Sequence, residues 1–268
     1  MGPAVSATRG CRREKDGFTL TDLLAVLCCV ALLAIVSVTA LAHSQPSSDR
    51  AGCANNLRRL MLAWQMYADD NSGRLVANAG PGVWVSGFLD YTSSNGDNTN
   101  TLKLTSSAYA AIGPYVNSPS LFRCPADNST VLLPGGPKLR VRSYSMNSYM
   151  GPNPSPWNST FQVMTRLTEV SQPDRIFVLL EEHSDSINDG SFVTDPAAIG
   201  ASGMLIDYPA AFHFGGANIT MADGHVAYWQ WADSRTMPPV TGLPLLLNVS
   251  SPNNPDVNRL GATSSYRK

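Results

Sequence analysis

The sequence predicts an α+β protein in which a long N-terminal helix, with a membrane half and an amphipathic half, precedes a β-rich head. Three observations carry this prediction. Residues 23–42 form an uncharged apolar run, residues 53–67 carry an apolar stripe with helical spacing, and the chain beyond residue 73 consists of short apolar segments separated by Gly, Pro, Asn and Ser.

The apolar run, Leu23–Ala42, is 20 residues long. A helix of that length spans the about 30 Å hydrocarbon core of a bilayer. Four basic and two acidic residues give the first 17 residues a net charge of +2, and the positive-inside rule therefore places the N-terminus in the cytoplasm. An ordinary secretory signal is the alternative, because Ala40-Leu41-Ala42 before His43 has the form of a signal peptidase site.

The second half of the predicted helix is amphipathic. Its apolar residues are spaced by 4, 3, 4 and 3 positions, which places them on one helical face. They are Cys53, Leu57, Leu60, Trp64 and Tyr67. Pro46 favours a kink because proline lacks a backbone donor, and the helix is expected to end near residues 71–73.

In the head, residues 82–89 (GVWVSGFL) and 175–182 (RIFVLLEE) are predicted strands because they are rich in β-branched, aromatic and apolar residues. Residues 218–231 are predicted to form a hairpin, since Asp223-Gly224 between two β-rich runs is typical of a type I′ turn. The pairs expected from a two-residue loop are Met221 with Val226 and Ile219 with Tyr228.

Composition excludes one class of partner. The chain is 43% apolar and 15% charged, with a net charge of −1, so it offers no basic field for nucleic acid. The residues after the apolar run suffice for one globular domain with its own core.

The cysteines are distributed unevenly along the chain. Of five, Cys11 precedes the apolar run and Cys28 and Cys29 lie within it, so only Cys53 and Cys124 belong to the exported part. In an oxidising compartment these two would form a disulfide. Two buried free thiols are the alternative, because spacing alone does not show how near the two residues lie.

The N-terminal junction carries a recognisable motif. "GFTLTD", Gly17 to Asp22, follows a short basic leader and opens the apolar run. This pattern resembles the processing site of type IV prepilins and type II secretion pseudopilins. The resemblance implies cleavage after Gly17 by a prepilin peptidase, methylation of Phe18, and pairing of Asp22, usually Glu in the family, with the amino terminus of a neighbouring subunit. The alternative for Asp22 is an acid that complements the helix dipole.

A second motif lies in the C-terminal half. His213 is followed by nine residues and then Asp223-Gly224, which resembles the C-terminal His-x9-Asp-Gly signature of a large set of bacterial prepilin-like proteins. Residues 55–75, 121–127, 142–147 and 181–192 also resemble recurring blocks of that set. The resemblance implies a pilin-like protein whose amphipathic helix packs under a β-rich head.

The expected organisation follows from these motifs. It comprises a prepilin leader at 1–17, a transmembrane and filament-core helix at 18–42, an amphipathic continuation at 43–73, a β-rich head at 74–236 and a Pro/Asn/Ser-rich tail at 237–268. The resemblance implies a structural subunit of a type II secretion pseudopilus or a type IV pilus-like filament. Its expected partners are prepilin peptidase, other pilin-like subunits and the bacterial inner membrane, crossed once with the head in the periplasm or outside the cell.

Two groups of polar residues are candidate metal ligands. The first group is His183, Asp185, Asn188 and Asp189, whose oxygen-rich spacing suits Ca²⁺, and the resemblance adds that major pseudopilins bind calcium in a C-terminal loop. The second group is His213, Asp223 and His225, which suits zinc or another transition metal. The alternative is that these acids and amides form turn hydrogen bonds and that Asp223-Gly224 is simply the hairpin turn.

The sequence favours a protein that is not an enzyme. It contains no H-E-x-x-H, no G-x-S-x-G, no Walker glycine loop and no dinucleotide-binding glycine motif. The alternative is an extracytoplasmic binding domain or a metal-dependent hydrolase. The residues available to such a hydrolase are Glu181, Glu182, His183, His213 and His225.

Overall fold

The computed structural model describes the backbone of residues 19–116 and 118–268, and the side chains of the same residues except 34–47. The predicted leader, with Gly17, and Phe18 after it lie outside the described residues. The chain divides into two compact units, Met1–Gln45 and Pro46–Lys268.

The described elements are mostly short. The helices are α1 (Leu20–Asp70), α2 (Leu102–Thr105) and α3 (Pro255–Ala262). The strands are β1 (Thr130–Leu133), β2 (Gly136–Leu139), β3 (Tyr144–Asn147), β4 (Phe177–Glu181), β5 (Ser191–Phe192), β6 (Met204–Leu205), β7 (Gly216–Met221), β8 (Val226–Gln230) and β9 (Val249–Ser250). The class is therefore α+β with a β-rich head.

The prediction of a long N-terminal helix with a membrane half is wrong. The boundary between the two units falls within α1, and the segments with described side chains are short, 20–33 and 48–70. Among the described residues, no helix combines the length and the apolar composition that a membrane crossing requires. Because of this finding, the predictions of a transmembrane helix and of a single-pass location in the inner membrane are also wrong.

Within the second unit, segment 48–70 of α1 packs on the head through the predicted stripe. Cys53, Leu57, Leu60 and Trp64 are buried to 1% exposure or less, in one cluster with Tyr144 and other residues of the sheet. The opposite face of the segment carries exposed residues such as Arg58 and Arg59. Burial of the stripe is the reason this segment is helical and docked, since an amphipathic helix is stabilised mainly by tertiary packing.

The centre of the head is a five-stranded sheet with the strand order β5-β3-β4-β7-β8. Its neighbouring strands are antiparallel except β3 and β5, which are parallel. All residues of the central strand β4 are buried, because its side chains enter two apolar clusters. Val178 and Leu179 pack in the cluster that contains the helical stripe, whereas Phe177 and Leu180 pack in a second cluster with Leu260 of α3. The pairing of β4 with β7 shifts register between Phe177 and Leu180, which breaks the simple alternation of faces. Strand β4 confirms the strand predicted over 175–182.

The predicted hairpin forms, but its register differs by one residue. Strands β7 and β8 pair Ile219 with Ala227 rather than with Tyr228. The connecting loop has three residues, since the Met221 amide donates to the His225 carbonyl at 2.9 Å and Gly224 takes a φ of +96°. A three-residue loop that ends in a left-handed glycine is a common alternative to the two-residue turn.

No strand forms at residues 82–89 of the described chain, so that prediction is wrong. Gly82 and Gly87 take φ values of +74° and +95°, which interrupt an extended backbone. The segment is instead held by its tryptophan: the Trp84 indole N–H donates to the Gly190 carbonyl at 2.8 Å.

Candidate functional site

A group of metal-binding side chains converges inside the head. Cys53, Cys124, Glu181 and His213 place their donor atoms within 4.8 Å of one another, and all four residues are 0% exposed. It is the only such group among the residues that the structure describes. Cys53 lies on α1, Cys124 follows a 3-10 helix, Glu181 ends β4 and His213 precedes β7. Four separate parts of the fold therefore meet at this point.

Glu181 and His213 lie at the centre of the group. The His213 Nε2 atom lies 3.0 Å from Glu181 Oε1 and 3.3 Å from Cys124 Sγ. The Cys53 thiol donates to the same Glu181 oxygen. The Cys53 thiol and the imidazole thus contact one carboxylate oxygen, and Cys124 Sγ contacts the other side of the group through the imidazole.

Neighbouring polar groups hold these side chains in place. The Asn218 backbone N–H donates to Glu181 Oε2 at 2.9 Å, and its side-chain amide donates to Glu181 Oε1 at 3.1 Å. The Tyr144 hydroxyl and the Cys53 thiol are hydrogen bonded at 3.0 Å. The Tyr228 hydroxyl donates to the His213 carbonyl at 2.6 Å and fixes the backbone before β7. Such partners orient a buried side chain more tightly than packing alone.

Burial and mutual contact shift the protonation of the group. Burial alone would lower the pKa of His213, but its bonds to Cys124 and Glu181 raise that pKa to about 10. Burial raises the pKa of the Cys53 thiol well above its usual range. Burial acts in the same direction on Cys124, but hydrogen bonds from Cys53 and His213 outweigh it and lower the pKa of Cys124. The contacts with Cys124 and Glu181 therefore favour the protonated form of the His213 imidazole.

One atom of the group remains unsatisfied. His213 Nδ1 is buried and has no hydrogen-bond partner within the described part of the chain. An unpaired buried polar atom costs free energy. Among the described residues, the hydrogen-bonding contacts of the ring are those of Nε2.

The residues predicted for calcium do not converge on this group. Asp185 accepts hydrogen bonds from the Tyr91 hydroxyl at 2.5 Å and from the Thr241 amide at 2.6 Å. The His183 ring lies 3.0 Å from the Pro238 carbonyl oxygen. These contacts tie loops together, which agrees with the turn and loop alternative.

Asn188 and Asp189, the other predicted calcium ligands, make turn bonds. Asn188 Oδ1 accepts from the Asp189 amide at 2.5 Å, and Asp189 Oδ1 accepts from the Ser191 amide at 2.7 Å. Local bonds of this kind are usual for Asn and Asp between strands.

The predicted hairpin-tip group is divided. His225 Nδ1 lies 2.7 Å from Asp223 Oδ1 in a solvent-exposed pair, whereas His213 belongs to the buried group. Of the further residues considered for a hydrolase, Glu182 accepts from the Ser186 hydroxyl at 2.9 Å. The structure therefore unites His213 with Glu181 but not with Asp223, His225 or Glu182.

Cys53 and Cys124 are adjacent, as a disulfide requires, but the structure has them as free thiols. Both sulfur atoms contact the other members of the buried group. The free-thiol alternative is the arrangement observed.

At the N-terminal junction, Thr19 and Asp22 form a reciprocal cap at the start of α1. Asp22 Oδ2 accepts from the Thr19 amide at 2.9 Å and from the Thr19 hydroxyl at 2.6 Å, while Thr19 Oγ1 accepts from the Asp22 amide at 3.2 Å. The Thr19 bonds lower the pKa of Asp22. Asp22 thus caps the start of α1, and its negative charge complements the helix dipole. This arrangement agrees with the alternative given for Asp22 from the sequence.

Sequence reasoning named every member of the buried group but not their association. The sequence offers Glu181 only as a residue of a possible hydrolase, and it offers the two cysteines as a disulfide or as buried free thiols. The contacting pairs of the buried group are 32 to 128 positions apart in the sequence. No local spacing motif therefore links these residues. Comparison of the chain with family models, curated proteins and solved structures gives no significant match.

Proposed function

We propose that the protein is a structural subunit of a pilin-like filament, a pseudopilus of type II secretion or a type IV pilus-like assembly. The observation that carries the proposal is the apolar surface of segment 20–33. Its large side chains are 45% to 74% exposed at positions that include Leu20, Leu23, Leu24, Val26, Leu27, Val30 and Leu32. Apolar side chains exposed on this scale mark a contact surface.

The proposed occupant of this surface is the same segment of other copies of the chain. A helix that is apolar on every side is buried when it packs among similar helices. Asp22 is the single charged residue of segment 20–33, and a carboxylate within an apolar assembly requires a positive partner. The amino terminus of a neighbouring copy cleaved at the Gly17-Phe18 junction would supply that charge.

The geometry of Asp22 is compatible with such a pair. The capping bonds from Thr19 use only Oδ2. Oδ1 has no hydrogen bond within the described residues, so it can accept one from an ammonium group. Because the Thr19 bonds lower the pKa of Asp22, the carboxylate is charged at neutral pH and attracts a cation.

The role proposed for the head is structural rather than catalytic. A catalytic group must reach substrate, and a catalytic metal retains an open coordination position. The four converging donors are fully buried in the head, which supports a role inside the fold.

Cross-linking through the chain's own cysteines tests the filament proposal. Cys28 and Cys29 are exposed on segment 20–33, whereas Cys53 and Cys124 are buried. Mild oxidation of cells that express the full chain together with its prepilin peptidase should give disulfide-linked dimers and larger species. The Cys28→Ser/Cys29→Ser double variant should remain monomeric. A wild-type chain that yields only monomer, although cleaved and abundant, would contradict the proposal.

Charge variants at Asp22 test the pairing. Asp22→Asn retains an oxygen for the Thr19 cap but removes the charge, so cross-linking should fall, whereas Asp22→Glu should restore it. Asp69→Asn, which changes an exposed acid at the other end of α1, is the matched control and should behave as wild type. Equal cross-linking of Asp22→Asn and wild type would remove the pairing argument.

A further inference from the structure

The buried group formed by Cys53, Cys124, Glu181 and His213 has the composition of a metal site. Thiolate sulfur and imidazole nitrogen are the preferred ligands of zinc and related transition ions, and a carboxylate oxygen is a common additional ligand. Hard ions such as calcium take six to eight oxygen ligands instead. The donor set therefore selects a transition ion.

The spacing of the donor atoms fits a tetrahedral ion. Bonds of about 2.0 to 2.3 Å place neighbouring ligands of such an ion roughly 3.3 to 3.8 Å apart. The His213 Nε2 atom lies 3.3 Å from Cys124 Sγ and 3.0 Å from Glu181 Oε1, and all four donor atoms lie within 4.8 Å of one another. Cys53 Sγ and Glu181 Oε1 are the exception, because they are in closer contact than two ligands of one ion and must separate when the ion binds.

The surroundings supply the supporting bonds that metal ligands usually have. Asn218 donates to both oxygens of Glu181, and the Tyr144 hydroxyl reaches Cys53 Sγ. Partners of this kind fix ligand orientation and partly offset the negative charge of the ligands. A hydrogen-bonded core alone does not explain why two thiols, an imidazole and a carboxylate share one buried position, nor why His213 Nδ1 has no partner among the described residues.

We propose that Cys53, Cys124, Glu181 and His213 bind one Zn²⁺ ion in a closed structural site that fastens helix segment 48–70 to the sheet of the head. This inference does not depend on the filament proposal. Since the four protein ligands complete the coordination and are fully buried, no position is left for substrate, and the ion acts as a cross-link between four parts of the fold.

The charge and proton balance of binding is simple. Zn²⁺ is bound by a neutral imidazole, two thiolates and a carboxylate, so each thiol proton and any second proton on the imidazole leaves to solvent on binding. Two thiolates, one carboxylate and the divalent ion give the filled site a net charge of −1, as in structural sites with three Cys and one His.

Cobalt substitution tests the site in the full-length chain. The protein is stripped with a chelator under reducing conditions and titrated with Co²⁺, which gives visible bands when tetrahedral and near-ultraviolet bands when bound to thiolate. We expect one Co²⁺ per chain, displacement by one equivalent of Zn²⁺, and a higher melting temperature with Zn²⁺ than without it. A folded chain that takes up no Co²⁺ would overturn the proposal.

Variants locate the ion. Cys53→Ser and Cys124→Ser should abolish binding or reduce the thiolate band to about half, because its intensity follows the number of thiolates. The Cys28→Ser/Cys29→Ser variant and His225→Gln change exposed residues of the same types and should leave the spectrum unchanged. Each protein is first checked by circular dichroism.

Two results would overturn the assignment even if metal binds. One is a full thiolate spectrum in folded Cys53→Ser or Cys124→Ser. The other is a native chain whose mass is lower by two hydrogen atoms because a Cys53–Cys124 disulfide has formed, since a disulfide leaves no thiolate to bind the ion.

Discussion

The buried carboxyl of Asp207 is expected to make the stability of the head depend on pH. It follows β6 and is 7% exposed. Burial raises its pKa from 3.8 to about 7, against the opposing effect of a hydrogen bond from the Val193 amide, which measures 2.6 Å. The negative charge of Asp189 raises the pKa further, and Asp207 has no salt bridge among the described residues.

The sign of the effect follows from the raised pKa. Below about pH 4, Asp207 is protonated in both the folded and the unfolded chain, so it contributes no pH dependence. Between about pH 4 and pH 7 the unfolded chain ionises while the folded chain retains its proton, and the free energy of unfolding falls. The rise of the Asp207 pKa from 3.8 to about 7 corresponds to a loss of at most about 4 kcal/mol in the free energy of unfolding. This loss is complete once the pH exceeds the pKa of Asp207 in the folded chain.

The Asp207→Asn variant removes this loss because its amide never ionises, and its oxygen still accepts from Val193. Urea unfolding of the full-length chain at about pH 4.5 and about pH 8 measures the effect. We expect the variant to be more stable than wild type by a few kcal/mol at the higher pH and to be within about 1 kcal/mol of it at the lower pH.

The exposed Asp174→Asn is the control for this comparison and should change stability by less than about 0.5 kcal/mol at either pH. Burial raises the pKa of Glu182 well above its usual range, and the charge of Asp207 raises it further. Asp207→Asn removes that second effect, so the response of Glu182 adds to the stability gained at the higher pH. A variant that differs from wild type by the same amount at both pH values, or that loses stability at the higher one, would refute the reasoning.

Two further predictions concern packing and backbone. Leu57→Ala, in the fully buried stripe, should lower the free energy of unfolding by about 2 to 5 kcal/mol, whereas Leu62→Ala, 57% exposed on the same helix, should change it by less than about 0.5 kcal/mol in the same urea titration. Gly151→Ala should lower the melting temperature more than Gly82→Ala. Both positions have positive φ, but a Cβ at Gly151 would lie 1.9 Å from the Val76 carbonyl oxygen, and one at Gly82 meets nothing. Equal losses of stability for the two leucine variants, or equal losses of melting temperature for the two glycine variants, would contradict these predictions.

The sequence predicts those parts of the fold that local pattern determines. The stripe from Cys53 to Trp64 is buried as its spacing requires, and the apolar run at 175–182 becomes the central strand. The predicted hairpin register is wrong by one residue because Asp-Gly suits both a two-residue and a three-residue loop, and only the backbone of Gly224 distinguishes them. The strand predicted at 82–89 does not form because glycines with positive φ interrupt it.

The site could be predicted only in part, for a physical reason. The spacing of His213 from Asp223-Gly224 indicates this residue from the sequence. The partners that it contacts, however, come from a distant helix, loop and strand. Their convergence depends on tertiary packing of the stripe and the sheet. By contrast, Asp185 and Asp189 are predicted to share a metal site because they are close in sequence. In the structure they accept hydrogen bonds within loops and turns.

The mass of the N-terminal peptide of the chain, isolated from its native host, tests the proposed filament role most directly. The account predicts a chain that begins at Phe18 and carries one added methyl group, because prepilin peptidase cleaves after Gly17 and methylates the new terminus. Such a terminus provides the amine proposed to pair with Asp22 of a neighbouring copy. A chain that retains residues 1–17, or that begins at His43 and so lacks segment 20–33, would contradict the account.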